Sequence, residues 1–222
     1  MSFILILLAF ASVPVAILGL YRVFYYLNDF SLVKQNWQLM ATTFGFQTNI
    51  KASSLWTLLK GFRLTAHGSY AGFDCKICWE NIRRHSNGEL RCTFVCTNPA
   101  ELVFRLDKSF RHFGNKSVKI GTAWFDDNFN FKLNQPNYAS RILNQDALAS
   151  LRNVFAVQTH CVLELNPIDE GGTILGTVLD TKMKASLSYF NNNLTVLKKH
   201  QHQHVIELVQ TLVTMAQNIE AA

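Results

Sequence analysis

Three hydrophobic patterns divide the chain. The first is a continuous run: Phe3 to Tyr21 holds nineteen residues without a charge, and apolar residues resume at Val23-Phe24-Tyr25-Tyr26-Leu27 after Arg22. About 20 helical residues span a hydrocarbon core of ~30 Å, so residues 1–27 are predicted to form a transmembrane helix. Tyr21, Tyr25 and Tyr26 then lie at the interface, and Pro14 kinks the span. Ser12 and Ala16, four residues apart, give this helix a small-residue packing position. A cleaved signal peptide is the competing reading, through Ala9-Phe10-Ala11, but no positive n-region precedes the run.

The second pattern has helical spacing. Trp37, Met40, Ala41 and Phe44 recur at steps of three and four before Gly45, and Ser53 to Leu59 forms a second short piece. Helical spacing returns at Tyr138–Leu143 and Asp146–Asn153. It dominates the C-terminus, where Leu187, Phe190, Leu194 and Leu197 give one stripe. Val205, Leu208, Val209, Leu212, Ala216 and Ile219 give another. A long helix from Lys182 to Ile219, bent near residues 198–204, is expected.

The third pattern alternates. Phe62–His67, Phe73–Arg83 and Glu89–Cys96 read as strands, with Asn87-Gly88 marking a type I′ hairpin turn before the last. Leu102–Leu106, Ser117–Ala123 and Asn128–Leu133 follow as strand candidates. Cys161–Leu165 and Thr173–Leu179 read as a second hairpin. The fold class is therefore α+β: an N-terminal transmembrane helix, then an antiparallel-sheet domain with a long C-terminal helix. The divisions are an anchor at 1–27, a juxtamembrane helical segment at 28–60 and the α+β domain at 61–222.

Charge adds orientation. Charged residues make up 16% of the 222, below the usual quarter, and the formal net charge is +6. Arg22 and Lys34 follow the span and no Lys or Arg precedes it, which predicts a single-pass protein with its C-terminal domain in the cytoplasm. Five irregularly spaced cysteines fit a reducing compartment.

Candidate chemistry is sparse. Cys75-x-x-Cys78 and Cys92-x-x-x-Cys96 have zinc-like spacing, but they fall on predicted strands. Residues three apart on a strand point to opposite faces, so these cysteines read as buried small side chains. His200, His202 and His204 form H-x-H-x-H near Glu207, a helical clamp without further ligands, which reads as a polar helix face. Asp126-Asp127 reads as a turn cap, and the neighbours His160-Cys161 face opposite ways on a strand. Arg105, Lys108, Arg111, Lys116 and Lys119, interleaved with Phe104, Phe110 and Phe113, form a basic strip able to contact an anionic surface. Phosphate-loop, dinucleotide-binding, nucleophile-elbow and zinc-protease motifs are absent from the sequence.

Gly68-Ser69-Tyr70-Ala71-Gly72-Phe73 leads into a strand. Later comes Phe125-Asp126-Asp127-Asn128-Phe129-Asn130-Phe131, then Ala139, Arg141, Ile142, Leu143 and Leu148. This resembles uncharacterised bacterial single-span membrane-anchored proteins, of the domain-of-unknown-function type, that carry Phe-[Asp/Glu]-x-x-Phe-x-Val before a helix with Arg-x-Leu. Phe131 stands here at the Val position. The resemblance spans residues 62–155 and implies a membrane-tethered domain; it assigns no activity and carries no functional residue over.

The function expected is a non-catalytic binding protein, an accessory or scaffold subunit of a membrane complex. Its partners would be the bilayer and other membrane subunits, not nucleic acid, with no cofactor and no metal. Two alternatives stand beside it: a domain sensing anionic lipid or a ligand at the membrane surface, and a metal- or thiol-dependent enzyme.

Overall fold

The computed structural model describes residues 17, 19–21, 30–51, 63–80, 89–108, 117–155, 161–168, 184–191 and 202–222. The fold is α+β: an eight-stranded antiparallel sheet with a C-terminal helix. The strands are β1 (Gln47–Lys51), β2 (Arg63–Tyr70), β3 (Phe73–Glu80), β4 (Glu89–Thr97), β5 (Phe104–Lys108), β6 (Asn130–Leu133), β7 (Cys161–Pro167) and β8 (Lys184–Asn191). Their order is β1-β2-β3-β4-β8-β7-β5-β6. The helices are α1 (residues 30–44), α2 (Ala123–Asn128), α3 (Ala139–Ile142), α4 (Gln145–Phe155) and α5 (His202–Glu220).

Register organises both faces. Side chains of directly opposed residues share a face, and the next pair along takes the other. Ala66, Ile77, Cys92, Tyr189, Leu163, Leu106 and Phe131 stand opposite one another in turn from β2 to β6, and all are buried. This apolar face receives the helices. On α1, Val33, Trp37, Met40, Ala41 and Phe44 are buried at helical spacing, and Gly45 ends the helix with φ +68°, a conformation that favours glycine. On α5, Val205, Leu208, Val209, Leu212, Met215, Ala216 and Ile219 are buried, against β4 and α4. The end of α5 is fastened twice. The Glu220 carboxylate accepts from the Thr97 backbone N–H (2.9 Å) and hydroxyl (2.6 Å), and Asn218 Nδ2 donates to the Ile142 carbonyl (3.0 Å).

Several expectations need correction. Residues 184–191 are not the start of the C-terminal helix but the central strand β8, paired with β4 and β7. The burial decides it: Ala185, Leu187, Tyr189 and Asn191 are buried in strict alternation. Residues 47–51, expected in a helical juxtamembrane segment, form the edge strand β1. The expected strand at residues 117–123 is not formed: residues 117–120 carry no regular structure and Ala123 opens α2, although the Val118 N–H bonds to the Phe131 carbonyl (2.7 Å) beside β6.

The expected pairing of β3 with β4 is present, closing with Glu80 opposite Glu89. An unbroken two-residue turn at Asn87-Gly88 would instead set Ser86 opposite Glu89. The turn itself lies outside the described residues, as do the helical piece at 53–59 and the strand at 173–179.

Among the described residues, no helix is long and apolar enough to cross a membrane. The expected span, with Ser12 and Ala16, lies outside the described residues except for Ile17, Gly19, Leu20 and Tyr21. These are helical, and Ile17, Leu20 and Tyr21 are 60%, 70% and 66% exposed.

Candidate functional site

One row of the sheet's second face is polar from edge to edge. Gln47, His67, Lys76, Thr93, Ser188, Glu164, Arg105 and Lys132 stand opposite one another in turn across all eight strands. Eight consecutive polar positions on one pleat row match no packing demand. They describe a face turned away from the core.

Within this face a groove of about 450 Å³ lies over β2, β3 and β4. Arg63 and Thr65 line it from β2, Lys76, Cys78 and Glu80 from β3, and Glu89, Arg91 and Thr93 from β4. The strand period puts these residues together: two apart on each strand, they emerge on the same side. Arg63 is ion-paired with Glu80, and the Cys78 thiol lies 3.5 Å from Glu80 Oε1. Arg91 Nη2 donates to Glu89 Oε1 (3.0 Å), and its guanidinium stacks 4.7 Å from the Phe190 ring centre.

The cysteines separate as the strand period requires. All five are free and buried: Cys75, Cys92, Cys96 and Cys161 point into the core, whereas Cys78, 9% exposed, forms part of the groove floor on the opposite face. Burial pushes the Cys75 and Cys96 thiols up to about 12, and raises Cys92 and Cys161 as well. No three His, Cys, Asp or Glu side chains gather into a metal-holding set among the described residues.

The three described residues of the basic strip each have partners of their own. Arg105 lies on the open face but is held by Glu164 (2.5 Å) and Asp107 (3.4 Å). The Lys108 ammonium donates to the Phe155 carbonyl, and Lys119 Nζ donates to the Asp126 carbonyl (2.8 Å). Arg111 and Lys116 lie outside the described residues. Asp126 is structural: its carboxylate accepts the backbone N–H groups of Ile120 (3.1 Å) and Gly121 (3.0 Å). His202 and His204 open α5, with His202 Nδ1 buried and without a hydrogen-bond partner, while His200 lies outside the described residues.

Sequence reasoning missed the groove. Its cations, Arg63, Lys76 and Arg91, are far apart in the chain, and register alone makes them neighbours. The alternation of Lys76, Cys78 and Glu80 with the core-facing Cys75, Ile77 and Trp79 is the available signal.

No family model matches this chain, and no curated protein is similar to it. Among solved structures it is similar to the crystal structure of the mycobacterial trehalose monomycolate transport factor A. The likeness covers 84% of this chain and 93% of that chain, with a TM-score of 0.45 and 8% identity, too slight to bear on function.

Proposed function

We propose that this protein is a non-catalytic binding domain tethered to a membrane through residues 1–27, serving as an accessory or scaffold subunit of a membrane complex. Its α+β domain lies on the cytoplasmic side. On the same footing it is of the bacterial single-span, membrane-anchored type that its Phe125–Phe131 segment resembles. One observation carries the reading. Several described groups that catalysis would recruit are committed to the fold, whereas the polar sheet face keeps an open groove. Cys75, Cys92, Cys96 and Cys161 are buried in the core, Asp126 clamps a loop, and Lys108 and Lys119 hold backbone carbonyls. The tether is supported by the uncharged run from Phe3 to Tyr21 and by the exposure of Ile17, Leu20 and Tyr21.

The test is purification of the full chain from native membranes in mild detergent. A membrane protein co-purifying in fixed stoichiometry is the expected result. Release from membranes by alkaline carbonate without detergent, or elution as a lone monomer, would overturn the reading.

A further inference from the structure

The groove over β2, β3 and β4 is chemically one-sided. Its two carboxylates are already occupied: Glu80 receives Arg63 and the Cys78 thiol, and Glu89 receives Arg91. The donors are not exhausted. Lys76 makes no hydrogen bond or ion pair among the described residues, and it stands directly opposite Thr93. Thr93 Oγ1 accepts from Ser188 Oγ (3.5 Å), leaving its own O–H to donate. Arg91 commits one N–H to Glu89, and a guanidinium carries five, so others remain beside Lys76 on the neighbouring strand.

A ligand meeting this surface must therefore supply acceptors and negative charge. We propose that the groove binds a single phosphate-type oxyanion, seated between Lys76, Thr93 and Arg91, with Cys78 beneath it. The wider face explains why the ligand is one small group rather than a charged sheet of lipid. Arg63, Arg91 and Arg105 are each neutralised by a neighbouring carboxylate, so the unspent charge in the groove is confined to Lys76. Guanidinium and ammonium donors beside a hydroxyl are the groups that hold phosphate elsewhere. The oxyanion belongs either to a soluble phosphate ester or to the headgroup of an anionic phospholipid brought close by the tether. This inference rests on the reading of the domain as a binding module.

Cys78 supplies the measurement, because it is the one cysteine facing the groove. The full chain in neutral detergent is treated with iodoacetamide, and Cys78 labelling is followed by peptide mass spectrometry. Inorganic phosphate, against chloride at equal ionic strength, is expected to slow labelling several-fold. The effect should vanish in Lys76→Gln and persist in Lys132→Gln, a lysine on the same polar row outside the groove. Line broadening of the phosphate phosphorus resonance, read in parallel, should follow the same pattern without depending on the thiol. Protection in nanodiscs of phosphatidylglycerol but not phosphatidylcholine assigns the oxyanion to lipid, and protection by inorganic phosphate alone assigns it to a soluble ester. If neither probe protects or broadens, or if Lys76→Gln behaves like the parent, the proposal fails. Co-purification of a partner subunit would be unaffected, so the two readings fail separately.

Discussion

Phe46 covers the bare Cα of Gly68. A Cβ placed on Gly68 would sit 2.5 Å from Phe46 Cδ1 and 3.3 Å from Phe46 Cα, where no side chain fits without displacement. The register of β1 with β2, Gln47 opposite His67, continues one step to set Phe46 across from Gly68 on the core face. The ring also stacks on Phe44, which meets Tyr70 edge to face. This contact joins α1, through the start of β1, to the sheet.

Gly68→Ala should therefore destabilise the protein by about 1–3 kcal/mol, the usual cost of overpacking. Phe46→Leu in the same background removes the ring edge but not the backbone contact, so it should restore only part of the loss. Urea midpoints of the single and double variants check this. A neutral Gly68→Ala would mean that Phe46 does not rest on β2.

The loop before α2 should depend on one carboxylate. Asp126 accepts from the N–H groups of both Ile120 and Gly121, while Gly121 takes φ +80°. Asp126→Ala leaves two donors without their charged acceptor. Because Gly121 is exposed and rehydrates, the expected cost is at the low end for charge-assisted bonds, about 1–2 kcal/mol. Asp126→Asn keeps one carbonyl oxygen and should cost less. Amide hydrogen exchange at Ile120 and Gly121 should accelerate in both variants, most in Asp126→Ala.

Thiol reactivity should sort the five cysteines by face. With Cys75 and Cys96 raised to about 12 by burial, their thiolate fractions at pH 8 are negligible, and Cys92 and Cys161 shift the same way. All five thiols are buried, but Cys78 alone lines the groove, so alkylation of the native chain at pH 8 should be fastest at Cys78 and slow at the other four, and all five should react after unfolding. Native-state labelling of Cys92, which is fully buried between Ile77 and Tyr189 in the register, would contradict the placement of β4.

What the sequence revealed follows from how local each signal is. Helix α1 was legible because Trp37, Met40, Ala41 and Phe44 lie within three turns, and β3 and β4 because their alternation is unbroken. β8 was misread because Leu187 and Phe190, three apart, fit a helical stripe running on to Leu194. The alternation of Ala185, Leu187, Tyr189 and Asn191 carries residues of weak strand preference at both ends. The basic strip shows the opposite limit of local reading. Arg105 to Lys119 are close in sequence, yet the carboxylate that neutralises Arg105 comes from Glu164, fifty-nine residues away. The groove inverts that case. Arg63, Lys76 and Arg91 look unrelated along the chain, and only strand register makes them neighbours.

Acid should weaken the start of α5 through His204. Burial lowers its pKa below the ordinary 6.5, with Glu207 opposing in part, so the folded state favours the neutral ring. The sign follows from linkage: a folded-state pKa below the unfolded one means that the unfolded chain binds the proton more readily. The contribution of His204 is therefore fully present above about pH 6.5, and it is lost as pH falls through the folded-state value. Carboxylates also titrate in acid, so the quantity to measure is the stability difference between the parent and His204→Gln. That difference should be flat between pH 7 and 8 and should shift in favour of His204→Gln as pH drops below about 6.5, because glutamine stays neutral. Paired urea titrations across this range decide it. Parallel curves for the two proteins would show that the ring reaches water in the folded state and that the N-terminal turn of α5 is not packed as described.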